Sequence, residues 1–257
     1  MNVNLSTEIE TSLKELRLPA IRECYAEQAE SSRAEKSSYE AYLYELLTRE
    51  LEERRHKRTE RLLRESKLPL GKSLESFEMK RLPAKVSFQV KSLLEGEFLD
   101  RCENVLVFGN PGSGKTHLLC AIGQELIYKG RRVLFAACGL LIQELLYAKR
   151  ELKLSRLLKK LSKYEALIID DIGYVQHTRE EMEVFFALLA ERYERGSILL
   201  SSNLPFSKWE TIFKDSMVTA AAIDRLVHHC IILELNLPSY RLEKSKAKLK
   251  KKPIERR

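Results

Sequence analysis

The chain has 257 residues, 44% of them apolar, which suffices for one large domain with a real core and a small appendage. Its 45 Lys and Arg against 37 Asp and Glu give a formal charge of +8, and the basic excess clusters in "RRHKRTERLLR", "KRELKLSRLLKK" and the tail "KSKAKLKKKPIERR". Nucleic acid is thus a candidate partner, beside the plainer reading of solvated helix faces. Five widely spaced cysteines (24, 102, 120, 138, 230) form no C-x-x-C pair, which argues against a disulfide framework or a zinc site. No run approaches the roughly 20 apolar residues of a membrane span, and the start lacks a signal pattern, so a soluble cytoplasmic protein is expected.

Residues 5–67 read as helical: Leu13 and Leu16, then Tyr39, Leu43, Leu46, Leu47 and Leu51, recur at three- and four-residue spacing among many charges. The segment "KLPLGKSLESFEMKRLP" brings Pro69, Gly71 and Pro83 together as a connector would. This predicts a helical module over 1–75, a second domain over 76–243 and a disordered basic tail over 244–257.

Beyond the connector, five apolar β-rich runs alternate with helical patterns: "NVLVFG" (104–109), "RVLFAA" (132–137), "ALIID" (166–170), "SILLSS" (197–202) and "IILEL" (231–235). Such an order predicts an α/β domain with a parallel sheet buried on both faces. Directly after the first run, "GNPGSGKTH" supplies Gly109, Asn110, Pro111, Gly112, Ser113, Gly114, Lys115, Thr116 and His117. This is a G-x-x-x-x-G-K-[ST] loop between a strand and a helix, the context in which backbone N–H groups and the helix dipole cradle phosphates. Lys115 is expected on the β- and γ-phosphates of ATP, and Thr116 on Mg2+.

The run "KRELKLSRLLKKLSK" sets Lys153, Arg156, Lys160 and Lys163 opposite Leu154, Leu157, Leu158 and Leu161, with Lys149 extending the stripe if the helix is continuous. A basic amphipathic helix could contact DNA phosphates without reading sequence; an ordinary solvated face has the same spacing. "ALIIDDIGY" places Asp170 and Asp171 at a strand's carboxyl end, where ligands bind in open α/β sheets. Asp170 suits Mg2+. Asp171 suits activation of a water, hence hydrolysis, although it could instead cap the next segment. The following "GYVQHTREE", with Thr178 and Arg179, is a second candidate DNA-facing segment. Asn203 stands at a third strand end, where an amide could hold the γ-phosphate or the water; before Leu-Pro it is equally a turn residue.

In "AAAIDRLVHHC", Ile223, Leu226, Val227 and Cys230 share one stripe, with Asp224, Arg225, His228 and His229 on the other side. Arg225 then points away from its own core, either into solvent or pairing with Asp224, or into a neighbouring subunit's nucleotide site as an arginine finger. No Cys/His/carboxylate set accompanies the two histidines in sequence, so they read as surface or interface residues.

Together, "GNPGSGKTHLLCAIG", "LIIDDIGY", "LLAERYERGSILLSSNLPFSKWETIF", "AAAIDRLVHHC" and "SYRLEK" resemble the IstB-type transposition helper ATPases, a branch of the AAA+ family close to the DnaC helicase loaders. The resemblance implies a helical N-terminal docking module, an AAA+ core with strand order 5-1-4-3-2 and no helical lid domain after it. It further implies ATP- and Mg2+-dependent homo-oligomers on duplex DNA, with nucleotide sites at subunit interfaces and an integrase-type transposase as partner. By the same resemblance Asn203 is sensor I, Arg225 the trans finger and Arg241 a second arginine near the nucleotide. Two departures stand out: Asp171 replaces the Glu of many relatives, which predicts slower hydrolysis, and Pro238 replaces a frequent Gly before "SYR". A helicase loader with single-stranded DNA preference, or a scaffold using ATP only as an assembly switch, are the alternative readings.

Overall fold

The computed structural model of the chain describes residues 3–173, 178–209, 216–240 and 242–243. The expectations placed on residues 174–177, on Arg241 and on the tail 244–257 lie outside them. The chain divides into two compact units, Met1–Arg61 and Leu62–Arg257.

The first unit holds α1 (Val3–Glu15), α2 (Pro19–Ala34) and most of α3 (Tyr39–Ser66). Pro19 opens α2 at a position where its missing N–H costs no helical bond. The carboxylate of Glu50, from α3, accepts from the amides of Ala20 and Ile21 at 2.9 and 3.3 Å. It thereby satisfies donors that the start of a helix leaves open, while Arg54 Nε donates to its other oxygen at 2.8 Å. Tyr42 donates to the carbonyl of Tyr25 at 3.0 Å. The seam of α3 against α2 is therefore Tyr42, Leu46 and Glu50, one helical rung at four-residue spacing. Of the apolar stripe expected on α3 only Leu46 is buried; Tyr39, Leu43, Leu47 and Leu51 lie on a different face and are exposed.

In the second unit Leu62, Leu68 and Leu82 are buried in one core with the sheet. After α4 (Ala84–Glu95) and the short α5 (Glu97–Asp100), the chain alternates β1 (Asn104–Gly109), α6 (Lys115–Tyr128), β2 (Val133–Ala137), α7 (Cys138–Arg150), α8 (Leu154–Leu161) and β3 (Ala166–Ile172). It continues with α9 (Arg179–Arg192), β4 (Ser197–Ser202), α10 (Ser216–Val227) and β5 (Cys230–Leu235). All pairings are parallel, in the order β2-β3-β4-β1-β5, the expected order read from the other edge.

Alternation within the apolar runs divides the core between the two faces of the sheet. Val105, Val107, Ile168, Leu199 and Leu233 pack with α4 and α6, whereas Leu106, Leu167, Ile169, Ile198 and Leu200 pack with α7, α9 and α10. Each such side chain, fully buried, contributes roughly 1.5–3 kcal/mol. Cys120 and Cys138 belong to these cores, and burial pushes both thiols up to about 12, leaving them protonated and unreactive at neutral pH. No helix among the described residues is long and apolar enough to cross a membrane.

The basic helix expected over 149–163 is two helices. α7 ends at Arg150, Leu152 takes φ 56°, and α8 starts at Leu154. Lys149 consequently leaves the stripe and pairs with Glu183 at 2.9 Å.

Arg192, 2% exposed, ties α8 to the sheet. Its guanidinium donates to the carbonyls of Leu161, Tyr164, Glu165 and Ser197 at 2.9–3.1 Å. Burial lowers its pKa to about 10, which leaves it charged at neutral pH. Gly196 is required beside it, since a Cβ there would stand 2.6 Å from Arg192 Nη2, an atom these bonds hold in place. Arg192→Met strands several buried carbonyls, and thermal unfolding is expected to show a loss of about 3 kcal/mol. A variant as stable as wild type would refute this role.

Candidate nucleotide site

The loop between β1 and α6 folds as its residues require. Gly112 and Gly114 take φ 82° and 100°, which side chains other than glycine resist. Lys115 Nζ donates to the carbonyls of Gly109 and Asn110 at 2.7 and 3.1 Å, which points the ammonium into the loop. The hydroxyl of Ser113 is buried with no hydrogen-bond partner among the described residues. A glycine-rich loop, a lysine and the positive end of a fourteen-residue helix form a site suited to phosphate.

The acid pair sits on a distortion of β3. The β3–β4 register shifts between Ile169 and Ile172, and Asp171 adopts φ 69°, a left-handed conformation that Asp tolerates better than most residues. Ser201 of β4 holds this bulge from both sides: its hydroxyl donates to Asp170 Oδ1 at 2.7 Å and accepts from the Asp171 amide at 2.8 Å. Asp171 thereby lines the cleft with Lys115 and Thr116, whereas Asp170 does not. Asn203 Oδ1 would be 3.1 Å from a Cβ on Gly173. That oxygen is buried without a hydrogen-bond partner among the described residues. The structure thus brings Gly112–His117 and Asp171 to one cleft of about 190 Å³, with Asp170 and Asn203 outside its lining. Thr116 and the carboxylates offer hard oxygen donors, the set that suits Mg2+.

Two walls of the cleft come from the segment read as a connector and from the residues after β5. His117 Nε2 lies 3.1 Å from Ser76 Oγ and 3.0 Å from the Ser73 carbonyl, and Phe77 meets the His117 ring edge-on at 5.2 Å. Gln124 fastens this strap to α6 by donating to the carbonyls of Leu70 and Lys72, both at 3.3 Å. From the other side, the Tyr240 amide donates to the Gly112 carbonyl at 3.0 Å, and a Cβ on Gly112 would collide with the Ser239 side chain. Tyr240 also donates to Glu78 at 3.0 Å, under the Arg81 guanidinium at 5.0 Å from its ring. Pro238 takes part as well: its carbonyl accepts from Arg81 at 3.3 Å. Phe77, Arg81 and Tyr240 escaped the sequence reading. The one available signal for Phe77 and Arg81 was an aromatic and an arginine in the stretch that holds Pro69, Gly71 and Pro83.

Arg225 lies at the opposite edge of the sheet. Asn104, the first residue of β1, donates to the Arg225 and Leu226 carbonyls at 3.4 and 3.1 Å, whereas the phosphate loop follows the last residue of that strand. Six residues put about 17 Å between these edges, beyond the reach of one side chain. The guanidinium stacks on Phe186, 4.4 Å from the ring centroid, and donates to the Ala221 carbonyl at 3.1 Å. α10 ends at Val227, so Cys230 belongs to β5 rather than to the helical stripe. The sequence reading gave His228 and His229 no carboxylate, yet folding brings Glu194 to them, with one ligand atom from each residue within 4.8 Å of the others, all three exposed.

The expected DNA-contacting residues are spread over three places. Lys153, Arg156, Lys160 and Lys163 line a groove between α7 and α8 with Tyr147 and Leu157, while Lys149 is paired on α7. Thr178 is committed to a capping box at the start of α9, its hydroxyl accepting from the Glu181 amide at 3.3 Å. Arg179 opens that helix, 3.7 Å from Glu183.

Strand order 2-3-4-1-5, a phosphate loop behind β1 and an acid pair at the end of β3 make this an AAA+ P-loop domain. Its backbone is similar to the crystal structure of the DnaC helicase loader, with TM-score 0.54 and 18% identity over 64% of this chain and 96% of that one. It is equally similar to AMPPCP-bound DnaA from Aquifex aeolicus, with TM-score 0.54 and 22% identity over 75% of this chain and 58% of that one. Residues 11–248 match the IstB-like ATP binding protein family, and the chain belongs to it. An insertion sequence ATP-binding protein of Sinorhizobium fredii is 44% identical over 230 residues, 89% of this chain and 77% of the relative.

Replacing Ser201 by Ala leaves the Asp171 amide without its acceptor and frees the Asp170 carboxylate. The expected cost, read by chemical denaturation, is about 1–3 kcal/mol. Unchanged stability would show that the bulge does not need this hydroxyl.

Proposed function

We propose that the chain is an ATP-hydrolysing, oligomeric helper of transposition that assembles on duplex DNA, deforms it and engages an integrase-type transposase. The observation that carries this reading is the distribution of one catalytic set over two edges of the sheet, with the phosphate loop and Asp171 on one and Arg225 on the other. In this reading the loop amides and Lys115 bind the phosphates of ATP. Thr116 and Asp170 would hold Mg2+, which when bound would offset the negative charge of the phosphates. Asp171 accepts the proton of a water that attacks the γ-phosphorus as the bond to ADP breaks, and the Asn203 amide orients that water. The side chain of Asp171 is one methylene shorter than Glu, which accords with a slow turnover. Phe77 and His117 form the wall available to the base.

Arg225 completes the site of a neighbouring subunit, where its guanidinium stabilises charge on the transferred phosphoryl group. Support comes from its distance to its own loop and from the weak tethers, a ring face and one carbonyl, that it would exchange for phosphate oxygens. Expected consequences follow from the split. Asp171→Asn and Arg225→Ala each lose ATP turnover, and equal mixtures regain about a quarter of wild-type turnover, since one heterologous interface in four pairs two intact halves. Mixtures as inactive as either variant would exclude the shared site.

The DNA reading rests on α8. Among the described residues, Arg156, Lys160 and Lys163 have no carboxylate within ion-pairing distance, so their charge is available to phosphates. The transposase reading rests on the insertion-sequence relatives, and the exposed Tyr39, Leu43, Leu47 and Leu51 of α3 supply an apolar docking face. Arg156→Ala with Lys160→Ala should weaken duplex binding uniformly across sequences and lower the salt slope by about 2, measured by fluorescence anisotropy in ATP. A single-strand preference in that assay would favour a helicase-loader role instead.

A further inference from the structure

The turn between α7 and α8 breaks two local rules at one residue. Leu152 is 95% exposed, more than any other large apolar side chain among the described residues. Its φ of 56° is left-handed, at the position after a helix end that glycine normally fills. The backbone closes there through Leu152 N to the Lys149 carbonyl at 3.1 Å and Lys153 N to the Ala148 carbonyl at 2.7 Å. Glycine would make the same bonds with less strain and no apolar surface in water. Among the described residues Leu152 has no apolar packing that would reward a leucine at this tip.

The surroundings identify what would. Residues 149–163 hold seven basic residues and one acidic one, Glu151. Lys149, Arg150 and Lys153 are within ion-pairing range of Glu183, Glu180 and Glu151. Arg156, Lys159, Lys160 and Lys163 have no such partner among the described residues, and they line a groove with Tyr147, Ala148 and Leu157, where the acidic residues are Glu144 and Glu151. An apolar tip on a basic mount matches a polyanion with an apolar interior reached between its charges. A stacked base step flanked by phosphates has that form. We propose that Leu152 is a wedge that enters a base step of duplex DNA while the basic side chains of α8 hold the adjoining phosphates. This rests on the DNA-binding reading above and extends it, since it assigns the deformation to one side chain. A leucine carries no hydrogen-bonding group, so the preference is for steps that unstack easily, TA and CA, rather than for a base code.

The test uses the full chain with ATP and a stiff duplex containing one TA step, its adenine replaced by 2-aminopurine. Anisotropy reads binding and 2-aminopurine fluorescence reads unstacking. Wild type is expected to bind and to raise the fluorescence. Leu152→Ala is expected to bind within about ten-fold of wild type while the fluorescence stays at the free-duplex level, because the unstacking cost disappears together with the wedge contact. Leu152→Met should restore the rise, and Leu152→Gly should melt no lower than wild type, which separates the effect from misfolding. A full rise with Leu152→Ala, or wild-type binding without a rise, overturns the wedge. So does a change in assembly size of Leu152→Ala without DNA, which would make Leu152 a protein contact. Failure of wild type to bind any duplex at low salt overturns the DNA reading itself.

Discussion

A parallel sheet has two unlike edges, and the function proposed for this chain follows from that constraint. Every strand from β1 to β5 runs the same way, so the residues that follow the strands gather at one edge and those that precede them at the other. The phosphate loop follows β1, Asn203 follows β4, and the acid pair lies in the last residues of β3. Arg225 precedes β5, and Asn104 bonds its carbonyl to the start of β1. No rotamer moves a side chain from one edge to the other.

Within the carboxyl edge, fine positioning comes from local departures from regular structure. The bulge of β3 gives up one stretch of ladder, and Ser201 takes over the bonds that the ladder no longer makes. The outcome is that, of two consecutive acids that in a flat strand would point to opposite faces, Asp171 lines the cleft while Asp170 accepts from Ser201. The strap of residues 69–78 then closes one side of the cleft, its carbonyls accepting from the Gln124 side chain of α6, and the segment around Tyr240 closes the other by donating to the Gly112 carbonyl of the phosphate loop.

These two kinds of feature differ in how far they can be read from sequence. The strands were legible because both faces of the sheet are buried, which forces continuous apolar runs such as "NVLVFG". The phosphate loop was legible because its backbone angles at Gly112 and Gly114 admit little else. The strap was not, since it is held by carbonyls of Leu70 and Lys72, and every residue has a carbonyl. The break at Leu152 was hidden for a related reason: the residue there is the opposite of the one the conformation favours, so the periodicity of "KRELKLSRLLKK" seemed unbroken. The burial seam of α3 keeps Leu46 but not Leu43, Leu47 or Leu51, because it also carries Glu50, whose carboxylate meets the start of α2. The acidic neighbour of His228 and His229 stands 34 residues earlier, at Glu194, where only the fold connects them.

The distance between the two edges also sets an arithmetic for assembly. In the oligomer proposed here each subunit carries half of two sites, so an open chain of n subunits has n − 1 complete sites and a closed ring has n. The last subunit to bind ATP at an open end would hold it without the means to hydrolyse it. Growth by addition at that end is then protected from its own chemistry, and hydrolysis is confined to subunits already enclosed by neighbours. Closure, by completing the final interface, removes the protected end, and with it the asymmetry between making the assembly and taking it apart.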